Sequence, residues 1–174
     1  APGVWEPSCV VDGLTPHGVW QGGLWTDSHG ACLEVPADDQ HVEWVLDLGV
    51  RAPVDRVILF PYALPELSGP GVIPPRIKVE VASDPSFSDA VQIASSGESD
   101  LPVDLTTPLV LPSGSETGRY LRISSEKAWQ LGNRHLQALG EIEVWSGDRN
   151  LALNQPVVAR HGGIEQPSEE LTDG

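Results

Sequence analysis

Nine residues, His41-Val42-Glu43-Trp44-Val45-Leu46-Asp47-Leu48-Gly49, constrain this chain more than any other stretch. Trp44, Leu46 and Leu48 fall on one face of the run, and Glu43, Val45 and Asp47 on the other. A period of two is the pattern of a strand with one face in a core and one facing water. The run closes on Leu48-Gly49, and Ala52-Pro53-Val54-Asp55 reads as a turn before a second apolar run, Arg56-Val57-Ile58-Leu59-Phe60.

The same alternation recurs downstream. Arg76 to Ala82 places Ile77, Val79 and Val81 inward, Arg119 to Ile123 places Leu121 and Ile123 inward, and Leu139 to Trp145 buries Ile142 and Val144. Val91 to Ala94 and Leu105 to Leu111 are weaker strand segments, and Ser83-Asp84-Pro85-Ser86-Phe87 is a turn signature. Tyr62 to Pro75 reads as a loop rich in proline and glycine, and Ser124 to Gln137 as a second loop. No segment shows helical spacing over about 10 residues. About eight strands joined by long loops predict an all-β fold, an eight-stranded antiparallel β-sandwich of jelly-roll type. The 18 Gly and 16 Pro in 174 residues agree with frequent turns.

Charge narrows the partners. Ten Lys plus Arg stand against 25 Asp plus Glu, a formal charge of −15. Nucleic acid needs a positive surface and is excluded, and anionic lipid headgroups and sulfated polymers are disfavoured on the same ground. Neutral ligands and cations remain. No apolar stretch reaches the roughly 18 to 20 residues of a membrane span, so membrane insertion is not expected. The chain has no Met and no signal-peptide pattern, and it reads as a processed product or an excised piece of a larger protein. Cys9 and Cys32, 23 residues apart, lack zinc or redox spacing. They form either a disulfide in an oxidising compartment or two buried apolar positions.

Four phrases, taken in order, carry a family resemblance: Val11-Asp12-Gly13, the Trp44 to Gly49 strand, Arg119-Tyr120-Leu121-Arg122-Ile123, and Gly140-Glu141-Ile142-Glu143-Val144. Together they cover roughly residues 9 to 146 and resemble discoidin-type domains, the coagulation-factor type-C or galactose-binding-domain-like family. The resemblance implies a sandwich that binds cell-surface glycans, lipids or proteins through loops at one end, as in bacterial carbohydrate-binding modules attached to secreted enzymes. It also implies a structural calcium held by Asp12, Thr15 and Glu141. Calcium takes oxygen ligands, including the carbonyls of irregular loops. Here Asp12-Gly13-Leu14 lacks the second polar residue usual in the family, which removes one ligand. The plain alternative is an Asx-type turn at Asp12 and an exposed strand residue at Glu141.

The resemblance implies a domain over 1–146, with 147–174 a linker and the first strand of a next repeat, or a strand completing this domain. Asn150 to Val157 resembles such a first strand. Pro7-Ser8 leading to Asp12-Gly13 is echoed by Pro167-Ser168 leading to Asp173-Gly174, with the two Asp-Gly pairs 161 residues apart. That interval suits a tandem repeat.

A sugar site needs an aromatic face for the C–H groups of the ring and rigid polar groups for its hydroxyls. Trp129 with Asn133, Arg134 and His135 is the best cluster, with Trp129 expected to be exposed. Tyr62, and Trp20, Trp25, Asp27 and His29 of the first loop, could face it across the same end. The competing expectation for Trp20 and Trp25 is that they plug the sandwich, while Trp44 is core and Trp145 core or interface. No nucleophile elbow, His-Glu-x-x-His, phosphate loop or dinucleotide glycine pattern occurs, so catalysis is not expected. His17, His29, His41, His135 and His161 show no metal spacing. The sequence therefore predicts a non-catalytic carbohydrate-binding module of a secreted, extracellular or periplasmic multidomain protein that binds a neutral glycan. A protein–protein adhesion or scaffolding domain and a ligand-free spacer are the alternatives.

Overall fold

A computed structural model of the chain describes residues 30–62, 71–102 and 107–167, together with the backbone pairing of Trp20–Gln21 and Leu24–Trp25. Described residues form strands, turns and bends, with no helix among them. In chain order the strands are β1 (Trp20–Gln21), β2 (Leu24–Trp25), β3 (Ala31–Val35), β4 (Val42–Pro53), β5 (Arg56–Phe60) and β6 (Lys78–Ala82). They continue as β7 (Val91–Ser95), β8 (Leu109–Pro112), β9 (Thr117–Ser125), β10 (Trp129–Leu131) and β11 (Arg134–Leu139). The last are β12 (Glu141–Ser146), β13 (Arg149–Asn150), β14 (Val157–His161) and β15 (Ile164–Pro167).

Two sheets make the sandwich. One has six strands in the order β15-β14-β4-β9-β6-β7, the other four in the order β13-β12-β5-β8, and every pairing is antiparallel. Alternation makes this possible, because each strand offers one apolar face. Trp44, Leu46, Leu48, Val79, Val81, Leu121 and Ile123 of the large sheet meet Val57, Leu59, Leu111, Ile142 and Val144 of the small one in a single core. The expected all-β antiparallel sandwich is the observed fold. Its strand number exceeds eight because several pairs are only two to four residues long.

Four local expectations change. Val45 does not face water: the 83–87 turn folds back, and Phe87 covers Val45 and Ala82 in a small outer cluster. β4 does not stop at Gly49. Its pairing with β9 shifts between Asp47 and Ala52 and resumes opposite Gly118, so Pro53 ends the strand. Gly49 takes a φ of 70° at that bulge, and its N–H donates to Asp47 Oδ1 at 2.9 Å. The expected loop from Ser124 to Gln137 is the end of β9 followed by the β10–β11 hairpin, because Trp129, Leu131, Leu136 and Ala138 have apolar partners to pack against. Residues 105 and 106 lie outside the described residues, and the strand expected from Leu105 runs over Leu109–Pro112.

Residues beyond 146 are hydrogen-bonded into both main sheets. β13 pairs with β12, and β14 pairs with β4 with Val157 opposite Leu46. The stretch resembling a first strand, Asn150 to Val157, is mostly turn. Asn150 Oδ1 accepts from the N–H groups of Val144 and Ala152, both at 3.1 Å, which folds the chain before β14 begins.

Candidate functional site

A third sheet, in the order β10-β11-β3, packs on the sandwich core through Ala31, Val35 and Leu139. The chain reaches it and leaves it through two tight passages. At Gly30 an added Cβ would stand 2.6 Å from the Leu139 carbonyl oxygen and 2.8 Å from the Tyr62 ring, so no side chain fits. At Gly140 the chain steps from β11 into β12, and the Gly140 N–H donates to the Phe60 carbonyl at 2.9 Å.

Alternation along β10 and β11 sorts the expected sugar-binding cluster. Trp129 lies opposite Leu136 and Leu131 opposite Arg134, so these four share a face. Cys32 and Glu34 of β3 pair with Ala138 and Leu136 and join that face. Tyr62 and Val72, bridged to one another outside the strands, close over it. His135 and Gln130 point to the opposite face. Four residues that look like one cluster in sequence are therefore split by the pleat: Trp129 and Arg134 lie together, His135 lies behind them, and exposed Asn133 stands at the turn.

Trp129 is not fully exposed. Its ring is half-buried against Tyr62, Leu136 and Ala138, and its Nε1–H donates to the Ile73 carbonyl at 2.7 Å. That bond fixes the indole and leaves part of the ring open to solvent. Tyr62 is 3% exposed and offers no stacking face, because it packs on Gly30 and the hairpin. Arg134 Nε donates to Glu34 Oε2 at 2.9 Å, and both side chains remain accessible at 42% and 58%. Glu34 was not legible as a site residue, since it stands 100 positions from Arg134 and only β3–β11 pairing joins them. A half-open indole beside an accessible guanidinium–carboxylate pair is the described arrangement suited to a polar ring with one apolar face.

Behind this sheet, Gln137 is fully buried and ties three elements together. Its Nε2 donates to the carbonyls of Gln40 at 2.6 Å and Ser125 at 3.2 Å, while Gln40 Oε1 accepts from the Ala128 N–H at 2.9 Å. These bonds hold β11, the approach to β4 and the exit of β9 in fixed relation.

Glu141 is not the exposed strand residue of the plain alternative. It is 1% exposed at the start of β12, beside the passage at Gly140. A buried carboxylate needs a positive or hydrogen-bonding environment, and its hard oxygens suit calcium. Asp12 and Thr15 lie outside the described residues, as do Cys9, Asp27 and His29; Trp20 and Trp25 are described by backbone pairing alone. Among the described residues, no three His, Cys, Asp or Glu side chains converge as a metal cluster. Nor is any described helix long and apolar enough to cross a membrane.

The architecture is a two-sheet antiparallel β-sandwich with an additional three-stranded sheet. Solved structures share the sandwich. CBM32-1 of a family 31 glycoside hydrolase from Clostridium perfringens superposes with a TM-score of 0.56 at 17% identity, covering 83% of this chain and 87% of that one. Chitosan-binding module 1 of a chitosanase/glucanase from Paenibacillus sp. IK-5 gives 0.55 at 16% identity, with the same coverage. A putative chitobiase fragment from Bacteroides thetaiotaomicron gives 0.52 at 15% identity, covering 75% of each chain. At these identities the likeness is one of fold. No protein-family model and no curated protein matches the chain.

Proposed function

We propose that this domain is a non-catalytic carbohydrate-binding module of a larger secreted protein, and that it binds a neutral glycan at the sheet of β3, β10 and β11. The observation carrying this reading is the half-open Trp129 indole, fixed by Ile73 and flanked by the accessible Arg134–Glu34 pair. The indole offers an apolar face to a pyranose, and the ion pair offers a donor and an acceptor to its hydroxyls. Asn133 at the hairpin turn extends the polar rim, with Trp25 and His29 of the first segment as further candidates, whereas His135 faces away from it. Solved neighbours that are themselves glycan-binding modules support the choice of ligand class.

A structural calcium belongs to the same reading. Glu141 would supply a buried carboxylate, with Asp12, Thr15 and loop carbonyls completing an oxygen shell. The metal would hold the first segment against the start of β12 and take no part in covalent chemistry.

A glycan array run on the folded domain, with and without EDTA, tests both parts. Binding is expected in the wild type and lost in Arg134→Ala. In Trp129→Phe, which keeps the packing but loses the indole N–H and much ring area, it should fall at least about tenfold. Calcium should raise the melting temperature of the wild type but not of Glu141→Gln. Absence of glycan binding from folded protein, with capture of a protein partner at the same sheet, would favour the adhesion reading.

A further inference from the structure

The last described strands form a unit of their own. β14 and β15 are joined by Gly162 and Gly163, whose φ values of 56° and 75° give the left-handed pair that a two-residue hairpin turn needs. Arg160 Nε donates across the pair to Glu165 at 2.8 Å. The hairpin thus carries its own turn, ladder and ion pair.

Its attachment to the sandwich runs through one strand. Val157 to Arg160 lie opposite Leu46 to Glu43 of β4, and Val157 and Ala159 are its fully buried side chains. One further bond, from His161 Nδ1–H to the His41 carbonyl at 2.8 Å, pins the far end. The segment leading into β14 is a hinge. Leu151 and Ala152 are anchored in the core, and the Gln155 N–H turns the chain back by donating to the Ala152 carbonyl at 3.0 Å. Between them Leu153 is 43% exposed and Asn154, which is not glycine, holds a φ of 56°.

Extending this hinge would release Asn154 from its left-handed conformation and carry the hairpin away, with Val157 and Ala159 leaving the core over Leu46 and Trp44. What remains on β4 is a row of open backbone groups over Glu43 to Asp47, a template whose complement is known from the structure itself. We propose that the β14–β15 hairpin is exchangeable: it docks on β4 of a second copy of this chain in the register it uses on its own. Exchange recovers every contact of the closed form, so it costs only association entropy and gains relief at the hinge.

Mixing two variants of the full chain that each add one cysteine to Cys9 and Cys32, V45C and V158C, tests this. The two positions are cross-strand neighbours, and neither variant can link them within one chain. After concentration and mild oxidation, peptide mapping should find the two introduced thiols joined. V91C, on the opposite edge of the sheet, should join V158C far less. Light scattering should show dimer increasing over about a hundredfold range of concentration. Deleting Leu153 and Asn154, which leaves too short a hinge to fold back, should raise the dimer fraction at least about tenfold. Linkage of V158C to V91C as often as to V45C would overturn the proposal, as would monomer at all concentrations without the expected linked peptide. If the deletion variant does not fold, the mixing experiment decides alone.

Discussion

Arg122 shows how much one side chain organises. It donates to Glu80 from Nε at 2.9 Å and Nη2 at 2.7 Å, and to Glu43 from Nη1 at 2.9 Å, with its guanidinium 4.6 Å from the centre of the Phe87 ring. Three strands and the 83–87 turn meet on it. Arg122→Ala leaves two half-buried carboxylates facing each other without their shared partner. It should cost about 2 kcal/mol, read as a lower urea midpoint with unchanged slope. Glu80→Gln in the same background should recover part of the loss, since it removes one of the stranded charges.

The same scale sets the response to acid. The Arg119 hydrogen bond holds Asp47 below its ordinary value of 3.8. Burial alone would raise Glu80, but the bonds from Arg122 and Lys78 outweigh it and leave that carboxyl below its ordinary 4.5. With folded values depressed, the unfolded chain binds protons first on acidification. The stability these groups contribute is therefore complete above pH 4.5 and is lost as pH falls through each lowered folded value. Thermal melts from pH 7 to 5 should coincide as far as these two groups go, with a decline confined to lower pH. Arg122→Ala should flatten the part due to Glu80.

At the scale of the element, the β10–β11 hairpin is the informative case. Its sequence carries Gly132-Asn133 between Leu131 and Arg134, a turn signal between strand-compatible residues. The polar and aromatic residues around it made a loop the simpler reading. Only the partners Tyr62, Val72 and β3, brought from far along the chain, give Trp129, Leu136 and Ala138 something to bury against. Trp129→Ala should therefore destabilise the domain by about 2 kcal/mol as well as weaken binding. Trp129→Phe should keep most of the stability, and a comparison of melting with binding separates the two roles. The alternating core strands behave differently. β4, β6, β9 and β12 were readable because each alternates in place, whatever lies beside it.

At the scale of the molecule, the segment after Ser146 is integral to the described sandwich. It adds Leu151, Ala152, Val157 and Ala159 to the core and covers the edge of β4. A chain ending at Ser146 should lose about 4 kcal/mol of apolar burial, a large share of a typical domain's stability. Soluble yield, dye binding to exposed apolar surface and the melting temperature would register it. A fully cooperative melt at the wild-type temperature would contradict this view of the tail.

The fold class and the antiparallel strands with inward Trp44, Leu46, Val79, Leu121 and Ile142 are legible in the residues alone, and a charge of −15 narrows the expected partners. Alternation and net charge are properties of consecutive residues and of their sum, so they need no knowledge of neighbours in space. Tertiary structure alone decided which side chains share a face of the third sheet. It paired Arg134 with Glu34, turned His135 behind Trp129, and buried Tyr62 and Glu141. It also seated β14 on β4. Those outcomes depend on which strand edges meet, and register across a sheet is set by long-range packing that no local window contains.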